Sequence, residues 1–445
     1  MSAFVRRNGR LFVDTLKEAC SIPSISAEGR GLPEMAGWVE AKLKDLGART
    51  GRLEVPGAPP VILGEIPGAG GRTLMIYDHY DVQPVDPPDL WETAPFDPDE
   101  REGRIYARGA ADNKGDLVAR LCALEAFRET VGELPHHIKL VVEGEEEIGS
   151  PHFDEVCRTF AGRLAADHCV WEGAWFENDG RPQVVYGCKG LLYLELGLRR
   201  LSADQHSSQA VYAPSAAWEL VRAIASMRDD AGRVSIDGFY DDVEQEPPDA
   251  ELVRSFAFDE ESELKRLRID HFLGQLTGED LRREILHGPT ANIAGLCAGY
   301  ALSGAKTVLP AEASAKMDFR LVPHQDARDI ASKIRRHLDE HGFDEVRVRV
   351  LAQQNPSRSP RGSDLGVAVE RAAADWFPKP VSIWPLMLAT GPMHPIAQEL
   401  GIPICSPPGV TRPDSHIHAP NENVRVEDFL DIVGFTVAYL GAYGG

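Results

Sequence analysis

Three segments of the chain share one pattern: a short apolar run stops, and carboxylates or imidazoles follow at once. The three junctions are TLMIY-DHYD (73–81), IKLVV-EGEEE (138–147) and HCVW-E (168–172). The carboxyl ends of parallel strands meet at one edge of a sheet, where ligands bind. We therefore expect these side chains to converge on one cleft. Asp112, just before a helical pattern, and His418 in DSHIHAPNEN are expected to join them.

The carboxylates in such a cleft would repel one another; they are Asp81, Asp112, Glu146, Glu147 and Glu172. Like charges at short range in a low-dielectric cleft cannot all stay ionised without a counter-charge. These segments contain no cluster of lysine or arginine residues. Two divalent cations would offset three carboxylate ligands and leave one positive charge, which matches a bridging hydroxide. Ligation by His, Asp and Glu suits zinc, with cobalt or manganese as substitutes.

Each of these residues also has an ordinary structural interpretation. His79 could be a core histidine and Asp81 a turn residue. Asp112 could cap the helix that follows it. The acidic segment 143–147 could be a solvated loop, and His418 an exposed loop residue. The functional interpretation depends on several of these residues lying together at the strand ends of one sheet.

Four motifs in the chain resemble those of a known enzyme family. They are HYDVQP (79–84), GAADNKG (109–115), EGEEEIGS (143–150) and HAPNE (418–422). They are similar to the dizinc metallopeptidases that include carnosine dipeptidase, aminoacylase, succinyl-diaminopimelate desuccinylase and the bacterial glutamate carboxypeptidases. The resemblance covers nearly the whole chain in order and spacing. It implies an α/β catalytic domain with a mostly parallel sheet flanked by helices, interrupted by an inserted α+β lid or dimerisation domain.

The resemblance also assigns a role to each matching residue. Two divalent metal ions per chain are implied, with the ligands His79, Asp112, Glu147, Glu172 and His418. Asp112 would bridge both ions, and Asp81 would orient the imidazole of His79. Glu146 would be the general base that takes a proton from the metal-bridging water and delivers it to the leaving nitrogen. Glu422 would support the ligands from behind.

Three residues of the inserted domain match the family too. His206, in DQHS, matches a histidine that in dimeric members reaches the partner's site and stabilises the oxyanion. Arg320, in FRLVP, matches an arginine that pairs with the terminal carboxylate of the substrate. Thr307, in KTVLP, matches a threonine that contacts substrate. Without the resemblance, His206 reads as a surface histidine and Arg320 as an outward strand charge.

Two departures from the family bear on the substrate. Glu172 stands where dipeptidase members usually have Asp, which resembles the aminoacylase and carboxypeptidase branch. The segment PLMLATGPMHP (385–395) contains no acidic residue, whereas relatives of carnosine dipeptidase carry a Glu there for the substrate's free amino group. In contrast, HYDVQP and KTVLP look dipeptidase-like. The sequence is therefore consistent with a substrate whose amino end is free and with one whose amino end is blocked.

Three functions are consistent with these residues. The first is a dimetal peptidase that cleaves dipeptides or removes a C-terminal residue. The second is an N-acyl-amino-acid amidohydrolase of the aminoacylase type, acting on the same site. The third is a non-catalytic binding protein on the same fold, which the presence of Glu146 and a full ligand set disfavours.

The elements that must position these residues follow from the spacing of apolar residues. Strands are predicted at 73–77 and 138–142, with a helix face at 117–127 between them, which implies a parallel sheet. Other predicted helices are 31–46, 214–229, 326–340 and 426–442, and alternating strands are predicted at 192–198, 313–321 and 346–350. The charged stretch 237–284 has no clear pattern. We predict a catalytic domain of residues 1–188 and 359–445 and an inserted domain of residues 189–358, with the Pro- and Ser-rich segment 355–363 at the boundary.

The composition excludes several classes of protein. Lys plus Arg number 47 against 69 for Asp plus Glu, a formal charge of −22, which disfavours nucleic acid and anionic membrane surfaces. Apolar residues at 43% can build a core, and no apolar run is long enough for a membrane span. The seven cysteines include no CxxC pair, which suits reduced thiols and excludes a cysteine-built zinc site. We expect a cytoplasmic enzyme without a signal peptide, forming a homodimer through the lid domain, with a small peptide or N-acyl amino acid as substrate.

Overall fold

The computed structural model describes residues 3–244 and 250–444. The α-helices in these ranges are α1 (Ala3–Cys20), α2 (Leu32–Asp45), α3 (Lys114–Thr130), α4 (Phe153–Thr159), α5 (Ala161–Leu164), α6 (Ala216–Ser226), α7 (Ala250–Ser255), α8 (Glu260–Leu267), α9 (Gly278–His287), α10 (Ala327–Glu340), α11 (Asp364–Trp376) and α12 (Val426–Gly444).

The β-strands in the described ranges are β1 (Arg49–Leu53), β2 (Val61–Ile66), β3 (Thr73–His79), β4 (Asp99–Arg101), β5 (Arg104–Tyr106), β6 (His137–Glu143), β7 (His168–Val170), β8 (Gln183–Val185), β9 (Gly187–Cys188), β10 (Gly190–Arg199), β11 (Gln205–His206), β12 (Thr290–Ala298), β13 (Val308–Leu309), β14 (Glu312–Leu321), β15 (Arg347–Gln354), β16 (Ser357–Arg358), β17 (Ser382–Trp384), β18 (Ile404–Cys405) and β19 (Asn423–Arg425).

The chain divides into two compact units, each with its own apolar core. The first unit comprises Met1–Gly187, Arg358–Pro385 and Pro392–Gly445. The second comprises Cys188–Ser357 and Leu386–Gly391. The second unit is therefore inserted into the sequence of the first.

A six-stranded sheet in the order β1-β2-β6-β3-β7-β18 organises the first unit. Strands β6, β3, β7 and β18 pair in parallel, whereas β1 and β2 are antiparallel. Nearly every residue of β3 and β6 is buried, so both read as continuous apolar runs, as parallel strands do. Helix α3 packs against α1 and α12, and its bounds enclose the predicted helix face at 117–127. The predicted mostly parallel α/β sheet is confirmed.

A separate antiparallel sheet in the order β12-β14-β10-β15 organises the second unit. Buried residues alternate along β10 and β14, because α6 and α10 cover one face of the sheet. The strands predicted at 192–198, 313–321 and 346–350 correspond to β10, β14 and β15. Strand β12 was not predicted from the sequence; most of its residues are exposed, and it shows no apolar alternation.

In the described part of the charged stretch 237–284, the structure has the short helices α7 and α8 and the start of α9. The core-facing residues of these helices are few, which explains why no apolar period stands out: only Val253, Leu281, Leu286 and His287 are buried in them. Residues 245–249 lie outside the described residues. None of the helices within the described ranges is both long and apolar enough to cross a membrane.

Candidate metal centre

The predicted ligands of the first unit all lie at or just beyond the ends of its elements. His79 is the last residue of β3, and Glu172 lies two residues after β7. Asp112 lies two residues before α3, and Glu147 is in a single 3-10 turn that follows β6. His418 lies in the connection between β18 and β19. The ends of β3, β6 and β7 therefore carry His79, Glu147 and Glu172 to one edge of the sheet, where Asp112 and His418 join them.

Two groups of donors converge at this edge, and they share one residue. The first group is His79, Asp112 and Glu172, whose ligand atoms lie within 4.8 Å of one another. His79 Nε2 lies 3.2 Å from Asp112 Oδ1 and 4.0 Å from Glu172 Oε1. The imidazole of His79 is fully buried, and the Glu172 side chain is 12% exposed.

The second group is Asp112, Glu147 and His418. His418 Nε2 lies 3.2 Å from Asp112 Oδ2 and 3.1 Å from Glu147 Oε2. Asp112 thus directs one carboxylate oxygen at each group. This is the geometry expected of a carboxylate that bridges two ions.

Asp81 connects His79 to the acidic turn. His79 Nδ1 lies 3.3 Å from Asp81 Oδ1 and 3.1 Å from the Asp81 main-chain oxygen. The same carboxylate accepts the main-chain N–H of Glu146 at 3.2 Å and of Glu147 at 3.1 Å. Asp81 therefore contacts the imidazole of one group and fixes the backbone that carries a ligand of the other.

Glu422 binds the loop that carries Asp112. Its Oε1 accepts the main-chain N–H of Ala111 at 2.9 Å and of Asp112 at 3.0 Å. Its Oε2 accepts from Arg108 Nη1 at 2.8 Å and from the N–H of Gly109 at 2.9 Å. The Glu422 side chain is fully buried, and its four hydrogen bonds hold the backbone of the loop that carries Asp112; its role in supporting metal ligands stays a prediction.

Gln83, which is not among the predicted site residues, also contacts a predicted ligand. Its Nε2 donates to Glu147 Oε2 at 2.9 Å and to the Glu147 carbonyl oxygen at 3.0 Å. The sequence feature that points to Gln83 is its place within HYDVQP, the motif that also supplies His79 and Asp81.

The electrostatics of the site indicate a need for positive charge. Burial raises the pKa of Glu172 well above its ordinary value, and the nearby Glu146 and Asp112 carboxylates raise it further against the opposing effect of His79. Burial likewise raises the pKa of Glu146. Hydrogen bonds to Asp112 and Glu147 raise the pKa of His418 to about 10, so carboxylates stabilise positive charge at this imidazole.

The donor set fits divalent metal ions. Glu147 Oε1 and Glu172 Oε1 are buried, and neither has a hydrogen-bond partner among the described residues. Buried carboxylate oxygens are normally hydrogen-bonded or bound to a cation. Imidazole nitrogen combined with carboxylate oxygen is the donor mixture of zinc and of related first-row metals.

The three predicted residues of the lid lie in the second unit. His206 is exposed in β11, with Nε2 3.3 Å from Thr307 Oγ1 and Nδ1 2.8 Å from Ser208 Oγ. Arg320 lies on β14, and its Nη1 donates to Thr390 Oγ1 at 2.7 Å. The structure thus brings His206 and Thr307 together, and the roles of all three residues remain predictions.

Comparison with known proteins identifies relatives along most of the chain. The family model described as peptidase family M20/M25/M40 matches residues 75–441. Human Beta-Ala-His dipeptidase is 32% identical over 355 residues, which cover 74% of this chain and 69% of the relative. The Cys-Gly metallodipeptidase of Schizosaccharomyces pombe is 29% identical, covering 74% of this chain and 72% of the relative.

Solved structures agree with these relatives over nearly the full length. A metallo-carboxypeptidase of the M20 family from Sulfolobus solfataricus superposes with a TM-score of 0.91 at 36% identity, covering 97% of this chain and 99% of the other. Human carnosine dipeptidase 1 superposes with a TM-score of 0.81 at 26% identity, covering 99% and 98%. The chain therefore belongs to peptidase family M20/M25/M40, as the four motifs predicted, and is a metal-dependent peptidase.

Proposed function

We propose that this chain hydrolyses the amide bond of a dipeptide, or releases the C-terminal residue of a short peptide, with two divalent metal ions. The observation that carries the proposal is the shared position of Asp112, whose two oxygens lie 3.2 Å from His79 Nε2 and 3.2 Å from His418 Nε2. Zinc suits the donors, and cobalt or manganese can substitute for it.

Glu147 and His418 would hold one ion, His79 and Glu172 the other, with Asp112 between them. When bound, two such ions supply Lewis acidity toward the scissile carbonyl and a water molecule of lowered pKa. Glu146 would accept the proton of that water and later donate it to the leaving nitrogen.

Residues of the second unit would recognise the substrate. Arg320 offers a guanidinium fork for a terminal carboxylate, and Thr307 would contact the substrate beside it. His206 would donate to the developing oxyanion. We propose that it does so in a homodimer formed through the second unit, with His206 of one copy serving the site of the other. A cytoplasmic location remains part of the proposal.

A second candidate is hydrolysis of N-acyl amino acids at the same site. It is favoured by Glu172 and by the segment 385–395, which supplies no acidic partner for a substrate ammonium group. The first candidate is favoured by the named relatives, among them two dipeptidases and a carboxypeptidase. The two candidates require different amino ends of the substrate, free in the first and acylated in the second. Both require the same carboxyl end.

The test is hydrolysis of matched dipeptides that are free, N-acetylated or C-terminally amidated, followed by mass spectrometry with and without a chelator. Chelator-sensitive cleavage of the free set supports the dipeptidase proposal. Cleavage of the acetylated set alone supports the second candidate. Equal cleavage of amidated substrates would contradict carboxylate recognition, and cleavage that survives the chelator would contradict the metal mechanism. The Glu146→Gln variant is the control for contaminating peptidases.

A further inference from the structure

Helix α3 carries a buried arginine directly beneath the ends of two strands. Arg120 is 2% exposed, and its guanidinium donates to three oxygens. Its Nη1 donates to the Tyr77 carbonyl oxygen at 2.9 Å and to Asp78 Oδ1 at 2.5 Å. Its Nη2 donates to the Trp171 carbonyl oxygen at 2.9 Å.

All three acceptors lie one or two residues before a predicted metal ligand. Tyr77 and Asp78 come just before His79, and Trp171 comes just before Glu172. The parallel pairing of β3 with β7 ends at Ile76 and Val170. Beyond that pair, the guanidinium of Arg120 joins the two strand ends and fixes the backbone from which both ligands project.

The pairing of Arg120 with Asp78 is better explained by positioning than by stability. Desolvation of two buried charges offsets most of their attraction, and apolar residues of similar volume often stabilise a core as well. An apolar side chain, however, could not direct hydrogen bonds to three separate oxygens. A guanidinium does so because its N–H groups have a fixed planar geometry.

A second side chain of α3 packs against the residue on the other side of Glu172. Asp116, one turn before Arg120, accepts the main-chain N–H of Val410 at 3.0 Å. A Cβ on Gly173 would lie 2.2 Å from Asp116 Oδ2, so this close approach requires glycine. Trp171 therefore accepts a hydrogen bond from α3, and Gly173, on the other side of Glu172, packs closely against the Asp116 side chain of the same helix.

We propose that Arg120 is a positioning residue for the metal group of His79, Asp112 and Glu172, and does not position Glu147 or His418. The inference rests on the proposed function, because it presumes that divalent ions occupy both groups. The counterpart for the other group is Gln83, which donates to the Glu147 carboxylate and carbonyl. Loss of either side chain should then weaken a different one of the two ions.

The test is titration of the metal-free full chain with Co²⁺, followed by visible absorption and calorimetry. The wild type is expected to bind two ions. Arg120→Met is expected to weaken one ion by about 10- to 100-fold, the usual effect of losing a group that supports a ligand, and to leave the other unchanged. Arg120→Lys offers one nitrogen to the three acceptors, so the affinity for the same ion should fall less than in Arg120→Met. If Arg120→Met does not fold, Arg120→Lys is compared with the wild type in its place.

Two further variants separate positioning from a general loss of stability. Leu124→Ala removes fully buried apolar contacts one turn further along α3; it should lower Tm and leave both affinities unchanged. In a His418→Ala background, which removes a ligand of the second group, Arg120→Met should weaken the ion that remains.

The outcomes are distinguishable. Selective loss of one ion in Arg120→Met, with Gln83→Leu weakening the other, supports the proposal. Two unchanged affinities in Arg120→Met, or equal weakening of both ions, would overturn it. A wild-type chain that binds fewer than two ions would overturn the proposed function, and the positioning role with it.

Discussion

Glu422→Gln is the substitution with the most readily worked consequence. The carboxylate is fully buried and accepts four hydrogen bonds, from Arg108, Gly109, Ala111 and Asp112. An amide replaces one of the two acceptor oxygens by an NH₂ group. Whichever oxygen is replaced, two buried donors then face another donor, and Arg108 loses its charged partner.

The size of the effect follows from these contacts. Each buried donor left without an acceptor costs about 1–3 kcal/mol, so two such donors cost about 2–6 kcal/mol. Removing one partner of a buried ion pair costs about 3–5 kcal/mol, and this estimate overlaps the first. The free energy needed to open the loop that carries Asp112 should therefore fall by about 3–5 kcal/mol.

Hydrogen–deuterium exchange of the peptide that spans residues 107–113 measures this change. Since about 1.4 kcal/mol corresponds to a factor of ten, its amides should exchange at least a hundredfold faster in Glu422→Gln. The matched control is Glu65→Gln, which breaks a pair with Arg49, a side chain that is 82% exposed, and should change stability by less than about 1 kcal/mol. Exchange as slow as in the wild type would refute the reasoning, because the loop would then not depend on the four hydrogen bonds.

Three more predictions follow from the site and from one buried lysine. Glu146→Gln should retain both metal ions while turnover falls by about 10²- to 10⁴-fold; metal analysis beside kinetics checks this, and loss of metal would contradict the role as base. Excess chelator should abolish hydrolysis and lower Tm by several degrees, because ligands that bind only the native state stabilise it; zinc should restore both, and activity that persists in chelator would count against metal catalysis. Burial lowers the pKa of Lys189 to about 8 from 10.5, so between these values the unfolded chain binds more protons than the folded one, and the free energy of unfolding should rise with pH. Denaturant melts of the wild type and Lys189→Met at about pH 7.5 and about pH 9.5 test this. From the lower to the higher pH, the free energy of unfolding of the wild type should rise relative to that of the variant. A difference between the two proteins that does not change with pH would be inconsistent with a buried ammonium group.

The sequence predicts the ligand-bearing strand ends well because the signal is local. The apolar run 73–77 ends two residues before His79, and β3 ends at His79. The apolar run 138–142 ends one residue before the last residue of β6, Glu143, and the predicted ligand Glu147 follows in the next turn. The spacing of the apolar residues and their position along the chain are enough to predict these two strands, because a buried parallel strand is marked by its own apolar run and not by distant residues.

Other features depend on distant residues and could not be predicted in this way. Glu422 binds a loop that lies more than three hundred residues earlier in the chain. Arg120 lies on a helix that was recognised by its apolar residues, yet α3 also buries Lys114, Asp116 and Arg120. Strand β12 is mostly exposed, so no alternation marks it. Prediction from sequence patterns assumes that apolar residues face the core and charged residues face solvent. Buried charges and exposed strands both depart from this assumption.

The position of β18 in the six-stranded sheet has a consequence for biosynthesis. Strand β18 pairs with β7 but follows it by more than two hundred residues. At about 5–20 residues per second, the edge of β7 stays unpaired on the ribosome for about 10–50 s. An unpaired edge strand can pair with other chains. His418 and Glu422 follow β18, so a nascent chain can fold much of its second unit before the peptidase site exists, and a truncated product would contain an open sheet edge and no complete pair of metal groups.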